Sequence, residues 1–280
     1  MTGLSLLLLP FMLRAATGLI VASLALSPVG VAALALNLAG LRFTLMHLGL
    51  LGAAAGLAGG VDPFLAGMTF IAGGSLLFGP VADWVKLDVG QTSSLFMTGS
   101  LAAAFLLLYK ADVPAMEAFS IFTGSILTLT PRDLAVLSLF GAGVLAVLGL
   151  WYWELNLMLF DQELAAALGV RASAFRYAVL ALLGLAIGAC LKLVGALMVD
   201  ALLMLPAMAA LPLARNLKHA LVLSSFFGLI SSTLGIVASL QWDLPISASV
   251  AMAGVLVLAA SQGVRSIWRL RSSSAARTSA

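Results

Sequence analysis

Long apolar runs alternate with short polar breaks along the chain, and the runs are continuous rather than striped. A surface helix repeats its apolar positions every three or four residues, whereas a helix apolar all round belongs in a membrane or a deep core. Crossing a bilayer takes about 20 such residues. The pattern predicts spans at 15–38, 43–60, 63–82, 92–109, 134–153, 174–191, 193–213, 219–240 and 247–264. Several are short, and the break at Lys192 reads either as a turn between spans or as a kink within one long hairpin. The expectation is an all-α integral membrane protein, a polytopic bundle of 8–9 transmembrane helices with one short cytosolic helix. Residues 4–13 are nearly all apolar, but Arg14 follows the run and Pro10 interrupts it, so it reads as a retained interfacial segment rather than a signal peptide. Between Asp112 and Arg132 the apolar stretch Met116 to Leu127 predicts a further interfacial helix. With no long linker or strong repeat, residues 1–264 form one transmembrane domain, 1–14 its interfacial start, and 265–280 a frayed cytosolic tail.

One segment between spans carries its own start and stop signals. In Phe160-Asp161-Gln162-Glu163-Leu164-Ala165-Ala166-Ala167-Leu168-Gly169-Val170, Asp161 is suited to accept the free N–H groups of a first turn. Glu163 puts negative charge where the helix dipole favours it, and Gly169 supplies the left-handed residue that ends a helix. Eight residues of helix span roughly 12 Å, too short to cross a membrane. If this segment faces the cytosol, alternation puts Arg42, Lys86, Arg171, Arg176, Arg215, Lys218, Arg265, Arg269, Arg271 and Arg277 inside, and Arg14, Lys110, Arg132 and Lys192 outside. Basic residues favour the cytoplasmic side, so this bias supports the assignment.

Composition agrees with the pattern. Of 280 residues 62% are hydrophobic and 9% charged, against about a quarter charged in soluble domains. The net charge of +3 is explained by membrane topology and does not point to nucleic acid. The single cysteine, Cys190, excludes a disulfide within the chain and reads as a small buried hydrophobe. No phosphate-binding GxxxxGK[ST] loop, HExxH or other enzyme motif is present. If ATP drives transport, a separate chain hydrolyses it.

Within the spans, Asp200 is the most informative residue. A carboxylate at mid-span costs about 2.5–3.5 kcal/mol on insertion scales and needs a partner or water. Met204 and Met208 recur on its face, and Pro206 frees a backbone carbonyl nearby. An acid with soft thioethers would suit a transition-metal passage; equally, Asp200 would bond a neighbouring helix while the methionines fill space. His47, early in the second span, is a candidate ligand or gate, or else a packed hydrogen-bonding residue. His219, beside Lys218, belongs to a solvated loop. Asp243 would cap the following helix or draw cations to an outer mouth. Gly52 and Gly56 form a GxxxG pair, which argues for close helix packing.

Two stretches resemble the membrane-spanning permease subunit of bacterial ABC importers for zinc, manganese and related divalent metals. Phe160-Asp161-x-Glu163-x-Ala165-x-Ala167-x-Gly169-Val170 is similar to that family's cytosolic coupling segment, and Val194-Gly195 through Leu205-Pro206-Ala207 to its signature span. Weaker matches lie at Pro28-Val29-Gly30, His47 to Gly52, Phe122 to Leu127 and Asp243-Leu244-Pro245. The resemblance covers about residues 11–264. It implies a multi-pass homodimer in the bacterial cytoplasmic (inner) membrane, two ATP-binding cassette subunits that bind ATP, and a periplasmic or surface metal-binding protein. It also implies coupling through Asp161, Glu163, Ala165, Ala167 and Gly169, and a metal pathway involving His47, Asp200, Met204 and Asp243. The cargo would be a divalent transition metal, zinc first, then manganese or iron. Relatives commonly carry an aspartate four residues before the histidine matching His47, where this chain has Phe43, and a small residue where it has Asp200. These departures suggest that an acid has moved between helices. The competing readings are a proton-coupled secondary transporter relaying protons through Asp200, and an intramembrane enzyme using His47 and Asp200.

Overall fold

A computed structural model describes residues 9–113, 126 and 129–278. The expected interfacial helix within 111–133, the weak match at Phe122 to Leu127 and the first residues of the N-terminal segment fall largely outside them. The described helices are α1 (Pro10–Ala35), α2 (Leu41–Gly59), α3 (Pro63–Val85), α4 (Val89–Lys110), α5 (Pro131–Leu150), α6 (Tyr152–Phe160), α7 (Gln162–Ala167), α8 (Ala172–Val194), α9 (Ala196–Ala210), α10 (Leu217–Trp242) and α11 (Ile246–Thr278). Eight are long and apolar enough to cross a membrane, and α9 is a shorter apolar helix. The bundle is therefore all-α and polytopic, as the run pattern predicts. The break falls at Gly195 rather than Lys192, and α11 continues as helix through the tail to Thr278.

Helix α1 is the axis. Its most apolar window is 72% buried, against 22–39% for α3, α4, α5, α10 and α11, and α5, α8, α9 and α10 all pack on it. Lipid is as apolar as leucine, so packing here rests on close backbone approach and hydrogen bonds rather than on exclusion of water. Gly30 of α1 lies directly against the Leu203 backbone and Ala207 of α9. One turn away the Ser27 hydroxyl donates to the Leu202 carbonyl at 3.0 Å, a bond worth about 0.6 kcal/mol on average between membrane helices. The GxxxG pair behaves as expected. A Cβ on Gly52 would stand 2.6 Å from the Ala66 carbonyl oxygen, and one on Gly56 3.0 Å from Pro63 Cα, so both glycines let α2 lie flat on α3.

The turn from α1 to α2 is drawn into the bundle. Asn37 takes a left-handed φ of 59°, while Leu38 N–H donates to Ala33 O and Asn37 N–H to Leu34 O. These two bonds close a Schellman motif. Leu36, Leu38 and Leu41 around it are all buried. This hook holds Arg42, on the first turn of α2, against the protein.

Candidate functional site

Gly195 separates α8 from α9 with φ 88° and ψ 153°, a conformation essentially restricted to glycine. The break lets α9 start afresh within the bundle, and Asp200 sits in its second turn. The carboxylate meets Arg42, whose Nε donates to Asp200 Oδ1. The two side chains are 17% (Arg42) and 30% (Asp200) exposed. Arg42 is fixed twice more: Nη1 donates to the Ala39 carbonyl at 2.7 Å, and the guanidinium lies 4.1 Å from the Phe43 ring centroid, within cation–π range. The compensating partner that Asp200 requires is thus a residue that the topology count used only as a cytosolic-side cation. Arg42 was missed because its sequence position marks only a helix start; the buried leucine hook that aims it inward is a tertiary feature.

His47 stands one turn beyond Phe43 on α2, half-buried, with Nδ1 2.7 Å from the Phe43 carbonyl oxygen. A carbonyl can only accept, so Nδ1 carries the proton, and the lone pair of the neutral ring resides on Nε2. That is the tautomer in which a histidine binds metal through Nε2. The first two turns of α2 therefore combine a cation, an aromatic ring and an imidazole, and α9 brings the carboxylate to the same place through Arg42.

The other candidates lie elsewhere. Met204 is buried in the core, whereas Met208 is exposed. Asp243 occupies the turn after α10 with a left-handed φ of 50°, and its N–H donates to Ser239 O. A cavity of about 210 Å³ opens between α2, α3 and α8, walled by Gly49, Gly67, Met68 and Gly188. Its only carboxylate among the described residues, Asp62, accepts from Phe64 N–H and Leu65 N–H at 2.8 and 3.1 Å, capping α3. Among the described residues no three of His, Cys, Asp and Glu converge as a metal site.

The short segment between α6 and α8 has the caps its sequence predicts. Asp161 Oδ1 accepts from Glu163 N–H at 2.8 Å and Leu164 N–H at 3.1 Å. At the other end Gly169, φ 91°, closes a second Schellman motif: Val170 N–H donates to Ala165 O and Gly169 N–H to Ala166 O. The helix is shorter than expected, six residues rather than eight, because Leu168 already belongs to the cap. Ala165 is fully buried, so it seats the segment on the bundle, while Glu163, Ala166, Ala167 and Gly169 face outward. Phe160, Leu164 and Leu168, spaced at four residues, are 82%, 41% and 61% exposed. They form an uncovered apolar edge that the sequence reading, attentive to the alanines, passed over.

A bundle of membrane-length helices with a rigid, doubly capped segment exposed between two of them has the construction of a transporter's membrane subunit. The chain matches the ABC 3 transport family over residues 8–264 and belongs to that family. It is 28% identical over 203 residues to the manganese transport system membrane protein MntC of Halalkalibacterium halodurans, covering 70% of each chain. It is 27% identical over 221 residues to the high-affinity zinc uptake system membrane protein ZnuB of Buchnera aphidicola, covering 76% of this chain and 82% of that one. Its fold is shared with a chain in the structure of PsaBC from Streptococcus pneumoniae in complex with Fab, with a TM-score of 0.81, 23% identity, and coverage of 92% and 94%.

Proposed function

We propose that this chain is the permease subunit of an ATP-driven importer of divalent transition metal, manganese or zinc, in the bacterial cytoplasmic membrane. The observation that carries the reading is the family match across residues 8–264, together with relatives named for manganese and for zinc transport. In the proposed complex two copies form the passage, a solute-binding protein delivers the metal, and an ATPase subunit seats on the Phe160–Leu168 edge. The exposed edge and the two caps support this role, because a rigid lever can pass a displacement into α6 and α8 without bending. His47 and Asp200 are the proposed passage groups. Supporting that assignment, the carboxylate of α9 is held beside the first turn of the helix that carries His47. The metal would take Asp200 from Arg42 in exchange, and carboxylate with imidazole accepts either ion.

Reconstitution of the permease with an ATPase and a binding protein in proteoliposomes tests this. Manganese or zinc should stimulate ATP hydrolysis and accumulate inside, and His47→Ala and Asp200→Ala should each reduce uptake at least tenfold. Full transport in both variants would remove the passage assignment alone. Uptake by the permease without any ATPase, driven by a proton gradient, would overturn the importer reading and favour the secondary transporter.

A further inference from the structure

Helices α5 and α10 both pack on α1 but leave a gap between them. The gap is a groove of about 420 Å³ floored by Pro28. One wall is Leu145, Leu148, Gly149 and Tyr152, the other Lys218, Leu221, Val222 and Ser225. Both walls follow the same i, i+3, i+4, i+7 spacing, so each presents one helix face for two turns, roughly 10 Å. The polar groups are gathered at one end. Tyr152 and Lys218 stand where α5 gives way to α6 and where α10 begins, which alternation of the spans puts at the end that carries the coupling segment. Among the described residues the only other polar side chain of the walls, Ser225, spends its hydroxyl on the Leu221 carbonyl at 3.2 Å. At the mouth of the groove, Val222 of the wall and Leu150 beside it are 61% and 77% exposed, so the opening faces hydrocarbon.

Lys218 is exposed, and among the described residues it forms no ion pair. It sits in the first turn of α10, whose backbone N–H groups add positive character, and Arg215 lies three residues before it. An apolar trough two turns long with a cation and a phenol at its membrane-surface end has the complement of one ligand class: an acyl chain below and a phosphate above. We propose that this groove is a binding site for an anionic phospholipid, its phosphate on Lys218 and Tyr152 and an acyl chain between α5 and α10. The lipid would fill the space that α5 and α10 leave over Pro28, bracing the root of the coupling segment against α10. Basic pockets between helices on the cytoplasmic side commonly hold such headgroups.

The test is native mass spectrometry of the purified full-length permease, supplied with phosphatidylglycerol or phosphatidylcholine of identical acyl chains. A single lysine contact predicts about fivefold greater retention of phosphatidylglycerol. Lys218→Gln should abolish the preference while leaving weak retention of both lipids. Val222→Trp, at an exposed position that tolerates bulk, should fill the trough and lower retention of both. Arg265→Gln, away from the groove, should change neither. Equal retention of the two lipids by the unaltered protein, a preference that survives Lys218→Gln, or retention of both lipids unchanged by Val222→Trp overturns the proposal. The same holds if Val222→Trp separates a dimer without affecting lipid, since the groove would then be covered by a second copy. None of these outcomes bears on whether metal is the cargo.

Discussion

The ion pair of Arg42 and Asp200 makes a prediction that can be worked from its surroundings. Unit charges about 4 Å apart interact by about 4 kcal/mol at an effective dielectric of about 20, while exposed pairs measure about 0.2–1 kcal/mol. With side-chain exposures of 17% and 30% this pair lies between the limits, and a coupling energy of about 1–3 kcal/mol is expected. The two single substitutions should be unequal. Arg42→Gln leaves the Asp200 carboxylate without its cation. Asp200→Asn leaves Arg42 with the Ala39 carbonyl and the Phe43 ring, so it should destabilise less. The double variant Arg42→Gln, Asp200→Asn should recover most of the loss. Titrating the four proteins with SDS in mixed micelles, followed by circular dichroism, yields the double-mutant cycle. Losses that simply add, within about 0.5 kcal/mol, would mean the two side chains do not stabilise one another. Arg42→Lys is not a neutral control. A lysine keeps the charge but loses the planar fork that reaches the carboxylate and the Ala39 carbonyl together.

Two further outcomes follow from the backbone and from the coupling segment. Gly195→Ala forces a Cβ into φ 88°, ψ 153°, a strain of about 1–3 kcal/mol; lowered SDS resistance should accompany reduced uptake, whereas unchanged resistance would show that α8 and α9 can join in another conformation. Leu164→Asp with Leu168→Asp puts charge on the exposed apolar edge without touching buried Ala165, so the permease should stay folded yet lose co-purification with its ATPase. Retained co-purification at unchanged yield would place the docking surface elsewhere.

What could be foreseen from the chain and what could not divide along a physical line. Spans were legible because a bilayer demands unbroken apolar length, which is a property of consecutive residues. The capped helix α7 was legible for a related reason. Its caps run from Asp161 to N–H groups two and three residues on, and from Val170 back to Ala165, all within one short stretch. The register of that segment was only half legible, since three successive alanines look alike until the bundle decides that Ala165 turns inward. The partner of Asp200 lay out of reach, because 158 residues separate it from Arg42 and no local pattern reports the pairing. One clue was nevertheless present. The resemblance implied an acid at position 43 and a small residue at position 200, so Phe43 and Asp200 together hinted that a charge had moved between helices. The structure sets Arg42 against Asp200, and the adjacent Phe43 supplies the ring beneath the guanidinium. Arg42, Phe43 and Asp200 therefore act as one arrangement. Phe43→Asp alone should accordingly set two carboxylates competing for Arg42, destabilising the bundle unless Asp200→Ala is made with it. A stable, fully active Phe43→Asp single variant would show that the three positions vary independently.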